Sequence, residues 1–75
     1  MSVARNTEIS ATSTQSFEDA IRQGLGRATK TLRNVKGAWI KEQEVGVEGE
    51  NITWYKVTMI VTFVLDDSSS SQDVG

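Results

Sequence analysis

Ile52-Thr53-Trp54-Tyr55-Lys56-Val57-Thr58-Met59-Ile60-Val61-Thr62-Phe63-Val64-Leu65 is the stretch that decides the fold. It is rich in β-branched and aromatic residues and contains neither Gly nor Pro, so it reads as one strand. Tyr55, Val57, Met59, Val61, Phe63 and Leu65 share one face, and Trp54, Lys56, Thr58, Ile60, Thr62 and Val64 share the other. At about 3.3 Å per residue such a strand runs to roughly 45 Å, which is long for so small a domain.

Working outward, Gly49-Glu50-Asn51 makes a turn, and the alternating residues 38–48 before it supply a hairpin partner. Further upstream the period changes. Phe17, Ala20, Ile21, Gly24, Leu25, Ala28 and Leu32 recur at three and four residues, the apolar stripe of an amphipathic helix. Glu18 and Asp19 fall in its first turns and basic residues follow, an order that complements the helix dipole. Ser13 and Ser16 both qualify as N-cap, the latter with Asp19 three residues on. Asn34 and Gly37 are the stop signals. Gly24 and Gly26 inside the stripe mark either close approach by another backbone or simple tolerance. Residues 3–11 alternate and give a first strand. The expected domain is residues 1–66, with order β-α-β-β. The polar residues 67–75 carry no apolar pattern and read as a disordered tail.

A chain of 75 residues buries little apolar surface for its size and needs a staple. It has no Cys and no His, which excludes disulfides and argues against zinc. Self-association remains. One helix covers one face of a three-stranded sheet, with Ala38 and Ile40 expected to join that core. The other face then carries Trp39, Trp54, Ile60 and Val64, an apolar surface that soluble proteins seldom expose without a partner. Charged residues between 20 and 36 are all basic and those between 42 and 50 all acidic. The two runs could pair within or between subunits and fix register, or simply be solvated.

The strand, helix and hairpin order in about 65 residues resembles the dodecin family. Thr12-Ser13 followed by Ser16-Phe17 looks like that family's entry to the helix. Thr31-Leu32-Arg33-Asn34-Val35 looks like its helix exit, and Tyr55-Lys56-Val57-Thr58-Met59 through Phe63 its final strand. The resemblance implies an α+β subunit whose three-stranded antiparallel sheet wraps one helix. It also implies a hollow homododecamer that binds, stores or buffers flavin (riboflavin or FMN) without turnover.

Carried over position by position, the flavin-stacking tryptophan of the family falls on Gly37. The glutamine that hydrogen-bonds the flavin's pyrimidine edge falls on Lys56, and an arginine near the cofactor phosphate falls on Glu44. Glycine offers no stacking face, and a lysine donates without accepting. Trp39, on the same face as Gly37, and Trp54, beside Lys56, could form a relocated aromatic clamp or pack in an interface. Gly37, Trp39, Glu44, Trp54 and Lys56 are therefore the candidate ligand residues.

The resemblance also extends to relatives linked to calcium. Glu42, Glu44, Asp66 and Asp67 are candidate oxygen donors for such a hard cation, although no EF-hand-like loop is present. The helix's basic face offers a surface for nucleic acid, but the net charge of −2 and the lack of a basic tail oppose that reading. No apolar run is long enough to span a membrane. With no signal-peptide core, the cytoplasm is the expected compartment. Catalysis is the least supported class, since the commonest general base and the best nucleophile are missing. The expected partners are thus further copies of the chain and a small molecule.

Overall fold

The computed structural model describes residues 3–65; Asp66, Asp67 and the polar segment to residue 75 lie outside the described residues. The elements are β1 (Ala4–Ser13), α1 (Phe17–Thr31), β2 (Val35–Glu48) and β3 (Asn51–Val64). β3 is the middle strand of an antiparallel sheet ordered β1-β3-β2. The long β-branched stretch thus takes the position where both edges are paired, and its odd-numbered face becomes the core floor.

Val57, Met59 and Val61 are fully buried with Ala20 of α1, and Ile9, Ala11, Phe17, Ile21, Leu25, Leu32 and Val35 pack around them. Phe17 meets Tyr55 edge-on at a centroid distance of 5.2 Å, a favoured aromatic geometry. Gly24 permits this packing. A Cβ there would stand 2.6 Å from Met59 Cε and 3.1 Å from Ala11 Cβ, whereas one on Gly26 would meet nothing within 4 Å. Of the two helical glycines, Gly24 marks close approach, by side chains of β1 and β3 rather than by another backbone, and Gly26 is tolerated.

Ala38 and Ile40 do not join the core. They pair with Val61 and Met59 on the helix side of the sheet, yet Ile40 is 39% exposed and Ala38 is exposed as well. A helix about 10 Å across covers roughly two strands spaced about 4.8 Å apart. Here those strands are β1 and β3, the two that α1 chiefly contacts.

Both serine candidates act at the helix start, in different roles. Ser16 is the N-cap, its Oγ accepting from Asp19 N at 2.9 Å. Ser13 holds the link before it, accepting from Gln15 N at 2.9 Å and Ser16 N at 3.5 Å. The Asp19 carboxylate does not complete a capping box. It accepts from Ser13 Oγ at 2.6 Å and from Gln23 Nε2 at 2.6 Å. The Ser13 hydrogen bond, reinforced by Gln23 and the nearby Arg22 charge, lowers the Asp19 pKa below its ordinary 3.8; partial desolvation opposes this.

At the other end Asn34, with φ of 60°, reverses the chain in a left-handed conformation that asparagine tolerates. Its carbonyl accepts from Val64 N at 3.1 Å. β2 therefore starts at Val35, and Gly37 is a strand residue opposite Thr62 rather than a stop signal. The hairpin turn is carried by Gly49, with φ of 64°.

Candidate ligand-binding site

The sheet face turned away from α1 is set by strand parity. β3 places Trp54, Lys56, Thr58, Ile60, Thr62 and Val64 there, and β1 contributes Asn6, Glu8, Ser10 and Thr12. β2 adds Gly37, Trp39, Glu42, Glu44 and Gly46, each opposite a β3 residue of that face. The candidate residues Gly37, Trp39, Glu44, Trp54 and Lys56 thus share one surface, with Glu42 among them.

They fall into two groups. Gly37 and Trp39 sit opposite Thr62 and Ile60 at one end, and Glu44 sits opposite Lys56 near the other. Trp39 is opposite Ile60, six positions along β3 from Trp54, which is about 20 Å. The two indoles of one subunit therefore cannot sandwich one ligand. Trp39 is 51% exposed. Trp54 is half-buried because its indole lies across Gly46 on the neighbouring strand, in the space that a Cβ on Gly46 would fill.

Polar contacts run along the face, level with Gly37 and Trp39 and, at Thr58, between the two groups. Thr62 Oγ1 donates to Asn6 Oδ1 at 2.9 Å, and Ser10 and Thr58 hydroxyls meet at 3.1 Å. Lys41 Nζ reaches Glu8 Oε1 at 3.1 Å. Lys41 is able to do so because the pairing slips between Ile40 and Glu42, leaving it as an extra residue.

Trp54 and Lys56 line a hollow of about 440 Å³ together with Thr12, Thr14 and Thr53. Thr12 is the direct partner of Lys56 across β1 and β3. Thr53 reaches the hollow although its sequence parity assigns it to the opposite face. The register shift between Gly46 and Val47 leaves it without a partner on β2, and a bulge of this kind re-aims a side chain. Thr14 is carried by the link that Ser13 holds. These three threonines were missed in the sequence. Thr12 was within reach of a parity argument, whereas Thr14 and Thr53 depend on a loop and a bulge.

Charge around the hollow is sparse. Lys56 Nζ stands 4.0 Å from Glu44 Oε1, with both side chains well exposed. The acidic run of the hairpin thus meets a lysine of β3 at Glu44, while Arg22 of α1 pairs with Glu18 at 2.8 Å. Among the described residues, no group of three or more His, Cys, Asp or Glu side chains could hold a metal ion. Glu42 and Glu44 share the face, and Asp66 and Asp67 lie outside the described residues. No helix among the described residues is long and apolar enough to cross a membrane.

The architecture is a three-stranded antiparallel sheet backed by a single helix, with its second face open and partly apolar, a surface that soluble proteins seldom leave without a partner. The dodecin family profile matches residues 3–66, and the chain belongs to that family. No curated protein matches it in sequence. Among solved structures, a dodecin from Streptomyces davaonensis is 35% identical, with a TM-score of 0.82 over 88% of this chain and 97% of that one. A Thermus thermophilus dodecin variant is 31% identical, with a TM-score of 0.84 over 89% of this chain and all of that one. The calcium dodecin of Mycobacterium tuberculosis, a calcium-chelating antigen with its own calcium-binding site, is 26% identical. Its TM-score is 0.73 over 92% of this chain and 99% of that one.

Proposed function

We propose that this chain is the subunit of a closed, non-catalytic homo-oligomeric shell, of twelve copies as its family implies, that binds and buffers a small ligand. The observation that carries the reading is the uncovered sheet. Trp39 is 51%, Ile40 39%, Val47 65% and Ile52 52% exposed in the isolated chain, and family membership supplies further copies as their cover. Flavin, as riboflavin or FMN, is the proposed ligand class, and it binds weakly. The family's stacking position is Gly37, where a Cβ would meet nothing within 4 Å, and its amide position is Lys56; the two lie six positions apart along β3, so one site takes them from different copies.

Two measurements test this. Light scattering at micromolar concentration should give a mass near twelve subunits, and a monomer would overturn the shell. Riboflavin fluorescence quenching should show weak binding by the native protein and a gain of at least tenfold for Gly37→Trp combined with Lys56→Gln. Either change alone should do less, since stacking without edge recognition leaves the ring free to turn. Sub-micromolar binding by the native shell, or no gain in an intact double mutant, would overturn the proposed site.

A second reading has a specific observation behind it. Glu42 and Glu44 are two residues apart on one face, and a solved neighbour binds calcium. A calcium site built from these two carboxylates would need oxygens from a further copy or from water. Calorimetric titration with Ca²⁺, followed by Glu42→Gln, separates this reading from the first.

A further inference from the structure

We infer that the hollow beside Trp54 is an anion-accepting ring site, whose ligands are flat aromatic molecules bearing a phosphate or comparable anionic group. The inference deepens the flavin reading and rests on it for the identity of the ring. The basis is the chemistry of the lining. Thr12, Thr14 and Thr53 offer three hydroxyls, Lys56 one ammonium and Trp54 one indole. None of these five side chains is acidic, so the only formal charge lining the hollow is positive.

The parts are held for this task by unrelated devices. Gly46 lets the Trp54 indole lie down across β2, so the ring presents a broad apolar surface at the face. Thr12 is fixed opposite Lys56 by an unbroken ladder, Thr53 is turned in by the register shift, and Thr14 rides on the link held by Ser13. At the family position of a phosphate-side arginine the chain carries Glu44. That acid does not line the hollow, but its carboxylate stands 4.0 Å from the Lys56 ammonium. Anion recognition has thus moved from β2 to β3, and Glu44 moderates it as a competing counter-ion. The charge-assisted contact of an anion to Lys56 is stronger than the hydroxyl contacts around it, so it sets the preference between charged and neutral forms of one ring.

The test compares two pairs of probes that differ only by a phosphate: FMN against riboflavin, and 1-naphthyl phosphate against 1-naphthol. Each is titrated into the full-length assembled protein at about 0.1 M salt, where screening leaves close contacts largely intact. Binding is read by indole resonance shifts and ligand fluorescence. The phosphorylated member of each pair should bind about tenfold tighter. Lys56→Gln should abolish that preference while keeping the neutral ring. Glu44→Gln should raise affinity for the phosphorylated member severalfold and leave the neutral one unchanged.

Naphthyl phosphate preferred with neither flavin bound would uphold the anion site and overturn flavin as its ligand. Both flavins bound equally, with no preference in the naphthyl pair, would overturn the anion site and keep the flavin reading. No binding by any of the four would overturn both.

Discussion

The two sides of β3 are built to different standards. Toward β1 the ladder runs for ten uninterrupted pairs from Ala4↔Val64 to Ser13↔Tyr55, and α1 lies over it. Toward β2 the ladder is irregular at three places, and Ile40 and Val47 are left open. The first side holds the buried core, Val57, Met59 and Val61 under Ala20. The second side is stabilised chiefly by backbone pairing until something covers it. Buried core and exposed apolar surface thus lie toward opposite edges of one strand.

The sharpest way to break that contrast is to change one residue from each side. Met59→Ala, in the covered half, should lower unfolding stability by about 2–5 kcal/mol through lost burial and a residual cavity. Ile40→Asp, in the open half, should leave the far-ultraviolet circular dichroism of the subunit unchanged while abolishing the high-mass species in gel filtration. If Ile40→Asp unfolds the chain outright, the open half belongs to the folding unit and the division is wrong.

A smaller effect is expected at the contact between Gly46 and Trp54. Gly46→Ala puts a methyl group where the indole lies, and overpacking of this kind costs about 1–3 kcal/mol. The indole should swing into solvent, red-shifting the Trp54 emission. An unshifted spectrum with unchanged stability would show that the ring has an alternative seat on the face.

The smallest effect lies at the helix start and shows only in acid. Folding holds the Asp19 pKa below its ordinary 3.8, so the stabilisation is fully present above that value. It is lost as pH falls through the lowered folded-state pKa. Asp19→Asn should therefore flatten the acid limb of the stability profile below about pH 4 while changing little at neutral pH. An acid limb identical to that of the native chain would remove the Ser13 contact as a cause.

Much of this architecture was legible because it is written in local periods. The change from two-residue to three-and-four-residue repeats located α1 at Phe17, and the β-branched run located β3. Lateral placement was not legible. Nothing in the pattern of Ala38 and Ile40 tells which two of three strands one helix will cover. The strand order β1-β3-β2 decides that through pairing between residues far apart in the chain.

The same limit holds at the site. Parity placed Gly37 with Trp39 on β2 and Trp54 with Lys56 on β3, because side-chain direction is a local property; Glu44 joins their face only because the extra residue Lys41 reverses the alternation of β2. It could not place Thr53, because the register shift at Gly46 is set by the partner strand. Nor could it place Thr14, whose position follows from the hydrogen bonds to Ser13. The split of the candidate residues into two groups about 20 Å apart was implicit in their numbering only once the pairing with β3 was known.

Two of the three irregularities in the β2 ladder leave a lysine as the extra residue, Lys36 and Lys41. β2 is an edge strand, so its outer side is where another chain would dock to prolong the sheet. An edge that is bent at intervals and carries lysine at the bends is a poor template for such growth. β1 on the opposite edge pairs regularly, so the sheet has one side fit to be extended and one that is not. Head-to-tail stacking of sheets needs both sides to be receptive. With one side spoiled, open-ended fibre growth is disfavoured, which suits the closed shell proposed above.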